Sequence, residues 1–296
     1  MAVRTVVEGY TYFEGPRWHN GRLYVSDFYT RQVISVGPAG TVRPEAEVEG
    51  QPSGTGWLPD GRMLIVSMRD RLLLRREPSG ELAVHADLSR LAPWHLNDMV
   101  VDRAGRAYVG DFGFDLMAGA EIRTTGLIRV ELDGTAEVVA DGLYFPNGSV
   151  LTPDGGTLLV AETFGQRISA FDVGADGGVS ERRDWARFGP LPDTSDLAEA
   201  ESGGGIAPDG MCLDAEGLLW IADALGNRVV RVREGGEIAD EISTGDLGVY
   251  ACMLGGEDGR TLYMCAAPSF AEEERRTTRE ARLLAAEVTV PHAGLP

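Results

Sequence analysis

Six times along this 296-residue chain one short phrase returns: a Gly turn, a small apolar run, then an acid or a small residue. It runs Gly21–Asp27, Gly61–Ser67, Gly105–Asp111, Gly156–Glu162 and Gly217–Asp223, and closes as Arg260–Cys265. A repeat constrains the fold more than any single residue, because each unit can bury its apolar faces only against its neighbours. Six units of about 49 residues lie in the range of propeller blades. After the phrase comes a turn and a second run rich in Arg and β-branched residues, such as Arg31–Val36, Gly126–Val130 and Asn227–Val232. A third, more polar run follows, such as Ala136–Ala140. Short alternating runs punctuated by Gly and Asp are the mark of antiparallel strands. The expected fold is therefore all-β: one domain over residues 1–296, a six-bladed β-propeller with four-stranded antiparallel blades. The sixth unit is one strand short, and the run near Val3–Val7 is expected to complete it and close the ring. Two stretches break the rhythm, residues 112–125 and 181–206. Long loops in a compact repeat fold are functional rims or mobile surface.

Composition removes several function classes. The net charge of −19 disfavours nucleic acid and anionic membranes as partners and concentrates cations. No stretch is long and apolar enough to cross a bilayer, and the N-terminus has no apolar signal core. Three cysteines without regular spacing (Cys212, Cys252, Cys265) fit reduced thiols, so a cytoplasmic location is expected. All 27 basic residues are arginine, which excludes a Schiff-base lysine and a P-loop. The four histidines form no close pair, which argues against a histidine-rich zinc site.

The repeat also acts as a ruler. Counting eight residues back from the turn glycine gives Asp209, Asn97, Asn147, Ser53 and Ala251; the shorter first unit gives Glu14 seven residues back. This phase starts the innermost strand of each blade and faces the central channel. Glu14, Asn97, Asn147 and Asp209 are thereby delivered to one small volume. Two carboxylates and two amides suit a hard divalent cation, calcium first, then magnesium or manganese, with zinc less apt. Without a cation the carboxylates would repel and one would tend to protonate. Taken singly, Pro146-Asn147-Gly148 and Pro208-Asp209-Gly210 read as ordinary turns. Their shared phase, distinct from that of the hairpin turns Pro59-Asp60-Gly61 and Pro153-Asp154-Gly155, sets them apart.

Glu14-Gly15-Pro16, Leu96-Asn97-Asp98, Pro146-Asn147-Gly148 and Pro208-Asp209-Gly210, in that order, resemble the gluconolactonase/senescence-marker-protein/luciferin-regenerating-enzyme family, across essentially the whole chain. The resemblance implies one metal in the channel, held by Glu14, Asn147 and Asp209, with Asn97 touching substrate or water on the ion. It also implies that Asp209 is a general base and that the substrate is a lactone. In one place the chain departs from the sugar-lactonase pattern: His95 stands two residues before Asn97 where several sugar lactonases carry arginine. With aromatic surroundings (Trp94, Phe112, Phe114, Tyr144, Phe145, Phe164), that favours a less polar ring than an aldonolactone. His95, Asn97, Tyr144, Phe164 and Phe112 are the expected substrate contacts, and His95 reads either as a second acid/base or as a structural residue. Asp98 is expected to support Asn97 or the turn. Trp57, Trp185 and Trp220 read as packing, and Cys212 and Cys252 as inert. A phosphotriesterase, another metal-assisted carbonyl reaction in a biosynthetic pathway, and a non-enzymatic binding propeller are the competing readings.

Overall fold

The computed structural model describes residues 2–294 except Ala39, Thr194 and Gly203. It contains six four-stranded antiparallel sheets, five of them built from consecutive strands running outward from the channel. In the first blade these are Phe13–His19, Arg22–Asp27, Gln32–Val36 and Val42–Glu47. The other innermost strands are Pro52–Trp57, Leu96–Val101, Pro146–Leu151, Pro208–Leu213 and Gly248–Gly255. Each packs against the next around a closed ring, the first against the sixth included. The fold is a six-bladed β-propeller. The outermost strand of the sixth blade is Arg4–Tyr10, paired antiparallel with Ala281–Glu287, so the N-terminal segment does close the ring. The closure joins both ends of the chain in one sheet and pairs an edge that would otherwise be open.

The repeated phrase forms the second strand of each blade, and most of its apolar residues are buried. Leu23, Val25, Leu64, Ile65, Val109, Val160 and Ile221 are all fully buried. The acid that ends the phrase is structural. Asp27 accepts hydrogen bonds from the backbone N–H groups of Thr11 and Tyr12. Asp223 accepts one from Ala207 N–H, and Glu162 one from Tyr144 N–H. Each acid therefore ties down the segment that leads into its blade's innermost strand, where the backbone would otherwise be unpaired. Only two short helices occur among the described residues, Leu197–Ser202 and Glu272–Arg275, and no helix is long and apolar enough to cross a membrane. The three cysteines are free and buried. Burial pushes the Cys252 and Cys265 thiols well up, which leaves no thiolate nucleophile there.

Candidate metal centre

Every innermost strand slips register with its neighbour at the same place. The irregularities fall between Glu14 and Arg17, Pro52 and Thr55, and Leu96 and Met99. They recur between Pro146 and Ser149, Pro208 and Met211, and Val249 and Ala251. A β-bulge bends the strand and re-aims the side chain at that point. Here it falls on or beside each ring position, so local backbone geometry turns Glu14, Asn97, Asn147 and Asp209 toward the axis. The residue after the ring position lets neighbouring strands close in. A Cβ on Gly148 would sit 2.6 Å from Asp209 O, and one on Gly210 2.4 Å from Ala251 Cβ. Glycine is required there by close approach rather than by backbone angle.

The four ring residues line one cavity of about 70 Å3. At roughly 10–15 Å3 per water, that is room for about five to seven waters, enough for an ion with part of its hydration shell. All four are nearly buried, at 5–7% exposure. Asn97 donates its Nδ2–H to Pro146 O, 3.3 Å away. Asn147 donates its own to Thr163 Oγ1 at 3.3 Å, and Thr163 in turn donates to Pro208 O at 2.9 Å. With the Asn97 amide nitrogen committed to the next blade and that of Asn147 to Thr163 of its own, the amide oxygens are the donors left for the channel. Asp209 Oδ1 is buried without a hydrogen-bond partner. A buried carboxylate oxygen left unpaired is costly unless something charged meets it.

Burial, then the charge of Asp209, holds the Glu14 carboxyl well above its ordinary range; the Gly15 N–H pulls the other way. Burial likewise lifts Asp209, followed by the charge of Asp98. Among the described residues no group of three or more His, Cys, Asp or Glu side chains could hold a metal ion. The two carboxylates therefore need the amide oxygens to complete a ligand set. That all-oxygen set fits a hard dication, whose charge would offset the mutual repulsion.

Asp98, expected to steady Asn97, has a different partner. It meets Arg17 of the first blade in a buried ion pair with contacts of 2.8 and 2.9 Å, and Arg17 also donates to Met99 O. A larger cavity of about 700 Å3 opens on residues toward the other end of the innermost strands, lined among others by Arg17, Trp57, Ser149 and Cys212, and holds none of the four ring residues.

Phe112 and Phe164 stand in the wall of the candidate site, as expected, but His95 and Tyr144 do not. The His95 ring stacks on Trp94 at 5.2 Å and meets Phe112 edge-on at 5.9 Å, so it backs the wall. Burial, then Arg69, lowers its pKa and so favours the neutral imidazole. Tyr144 packs on the core behind Gly165. Of the tryptophans, Trp220 is buried in the core and Trp57 stacks on His19 at 3.9 Å. Sequence reasoning missed Thr163, Tyr12, Tyr250 and Glu201, all in the wall. Thr163, Tyr12 and Glu201 come from segments between strands, where the repeat phase carries no information, whereas Tyr250 stands in an innermost strand one residue before the ring position Ala251 and was within reach of the ruler. Leu116 and Met117 of the first long loop also line the cavity, as does Glu201 of the second.

Residues 13–268 match the SMP-30/Gluconolactonase/LRE-like region. The chain belongs to that family. Pentonolactonase XacC of Haloferax volcanii is 28% identical over 86% of this chain and 81% of its own length. The putative sugar lactone lactonase YvrE of Bacillus subtilis is 27% identical over 95% and 88%. Among solved structures, a luciferin-regenerating enzyme superposes with a TM-score of 0.79 at 19% identity, covering 99% of this chain and 98% of that one. A regucalcin from Agrobacterium tumefaciens, described as a calcium-binding protein, gives 0.74 at 20% identity with the same coverage. At these identities the superpositions speak for the fold. The lactonase-type membership speaks for a hydrolase acting on a small molecule.

Proposed function

We propose that this family member is a divalent-cation-dependent lactone hydrolase whose ion sits among Glu14, Asn147, Asp209 and Asn97. The observation that carries the reading is the orphaned Asp209 Oδ1, buried beside Glu14 in a cavity walled largely by aromatic and aliphatic groups. Calcium is the favoured ion for an all-oxygen set, in keeping with the similar solved regucalcin described as a calcium-binding protein. When bound, the cation would supply Lewis-acid polarisation of the ester carbonyl.

The side chains supply the rest. Glu14 and Asn147 are ligands, with Asn147 held by Thr163. Asn97, anchored on Pro146 O, orients the incoming ester. Asp209 takes a proton from the attacking water as the water oxygen bonds to the carbonyl carbon. The ring C–O bond then breaks, and the proton passes from Asp209 to the departing alkoxide, giving a hydroxy acid. His95 keeps Phe112 in place, one layer from the reacting atoms.

The test is turnover of a lactone panel with calcium and with chelator, for wild type and Asp209→Asn. Loss of the base should lower kcat by about 10²–10⁴-fold. Full turnover by the variant, or indifference to chelator, would refute the mechanism. Faster hydrolysis of an aryl phosphotriester than of any lactone would move the chain to the phosphotriesterase reading.

A further inference from the structure

We infer that the site selects a neutral lactone carrying an aromatic or branched-alkyl substituent, and discriminates against anionic and polyhydroxylated lactones. The inference rests on the hydrolase reading above and concerns what the cavity wall can accept.

Two aromatic arcs face each other across the ring of oxygens. Blades three and four contribute Phe112, Phe145 and Phe164, with centroids 4.5 Å apart between the first two and 5.2 Å between the last two. Phe114 backs them at 5.7 Å from Phe164. Blades one and six, on the opposite side, contribute Tyr12, Phe28 and Tyr250, with Tyr12 at 5.2 Å from Phe28 and 4.9 Å from Tyr250. Between such faces a flat or branched apolar group is well accommodated. A sugar hydroxyl buried there loses its water and, away from the ion site, can pair only with the phenol groups of Tyr12, Tyr29 and Tyr250 and the Glu201 carboxylate, too small a set for every hydroxyl of a polyhydroxylated ring. Thr163 is committed to Pro208 O and Asn147, while Asn97 and Asn147 are turned to the ion site.

Charge sharpens the choice. Among the described lining residues there is no arginine or histidine, and the chain has no lysine. Every charged group in the wall is a carboxylate: Glu14 and Asp209 at the floor, and Glu201 at the side. A dication balances the floor pair and leaves Glu201 unopposed. Glu201 reaches the cavity from the short helix Leu197–Ser202 of the second long loop. That loop is tied to the first by the Ile122 N–H to Ser195 O hydrogen bond of 2.9 Å, and Leu197 and Ala200 pack on the main core. Glu201 is thus held by two joined loops. A carboxylate, sulfonate or phosphate on the substrate would be repelled there.

The experiment uses the full chain with calcium chloride and three lactones: dihydrocoumarin (neutral, aromatic), D-gluconolactone (neutral, polyhydroxylated) and muconolactone (anionic). Calorimetry of dihydroquinolinone, the lactam counterpart of dihydrocoumarin, reads binding without turnover. Expected are kcat/KM at least tenfold higher for dihydrocoumarin than for either other lactone, and measurable lactam binding. Glu201→Gln should narrow the dihydrocoumarin-to-muconolactone ratio at least threefold by raising the rate on the anion. Preference for D-gluconolactone or muconolactone overturns the inference, as does an unmoved ratio in Glu201→Gln. If no lactone turns over but the lactam binds, the hydrolase reading fails while the inferred wall preference stands. If no lactone turns over and the lactam does not bind, the inference falls too.

Discussion

Calcium should stabilise this fold through two carboxylates that otherwise oppose each other, and Glu14→Gln separates those two effects. Glu14 and Asp209 are 7% and 6% exposed, and the charge of Asp209 is the second cause, after burial, that lifts Glu14. The variant removes that repulsion and one ion ligand together. In chelator it should melt at or above the wild type. In excess calcium the order should reverse, because only the wild type keeps the full ligand set. Free ion at a hundred times its Kd adds about 2.7 kcal/mol. With about 2.1 cal/mol/K of unfolding entropy per residue, the 296-residue chain has about 620 cal/mol/K, so the gain reads as roughly 4 °C in Tm. Differential scanning calorimetry of both proteins across a calcium titration, from a chelated baseline, checks it. The expected signature is a crossing of the two Tm curves. If calcium leaves the wild type unmoved, or shifts both proteins in parallel, Glu14 does not bind the ion.

Thr163→Val removes the hydroxyl between Asn147 and Pro208 O; it should cost about 1–3 kcal/mol of stability and weaken calcium binding about 10–100-fold, with Thr163→Ser restoring both in a calcium titration. Gly148→Ala puts a Cβ 2.6 Å from Asp209 O and should cost about 1–3 kcal/mol, read as a lower urea midpoint together with weaker calcium binding. Burial pushes the Asp111 carboxyl up to about 6 from 3.8, against hydrogen bonds from Thr125 and Gly113. A carboxyl whose folded pKa is raised stabilises the fold while protonated, so its contribution is present below about pH 4 and is lost as pH rises through 6. At about 1.36 kcal/mol per pH unit of that difference, the loss is about 3 kcal/mol by pH 7. Asp111→Asn lacks this slope, so its Tm relative to wild type should climb between pH 4 and pH 7; a constant difference would refute the assignment.

The parts of the molecule that repeat were the legible parts. A blade is a local unit, so the phrase Gly217–Asp223 and its five counterparts announce the second strands, and the phase eight residues earlier announces the starts of the innermost strands. Closure by Arg4–Tyr10 was readable because the sixth unit lacked a strand. The wall of the cavity was not legible in the same way. His95 looked like a substrate contact because it precedes Asn97 by two residues. The chain there runs past the wall: the carbonyl of His95 accepts the Phe112 N–H, and its ring falls behind that phenyl group. Thr163 lies just past the acid of its phrase, yet its role depends on Asn147 in its own blade and Pro208 in the next. The same is true of Arg17, whose partner Asp98 is 81 positions away. Contacts across blades follow from how the ring closes, and no spacing within one unit encodes them.

The Arg17–Asp98 pair bears on why the ring carries two negative charges and not three. Glycine follows the ring residue in blades one, two, four and five, where Gly15, Gly54, Gly148 and Gly210 let the neighbouring strand approach. Asp98 holds that position in blade three and is only 4% exposed. Its charge already contributes to lifting both Glu14 and Asp209. Left alone, it would add a third carboxylate to a space whose two carboxylates match the charge of the proposed dication. Arg17, 4% exposed and held by Pro16 O and Met99 O as well as by both Asp98 oxygens, cancels that charge within the protein. Breaking such a buried pair costs about 3–5 kcal/mol, because the surviving partner is left uncompensated. The pair therefore does more than brace the strands: it lets an acidic residue sit beside the ring while the charge left for an ion stays at minus two.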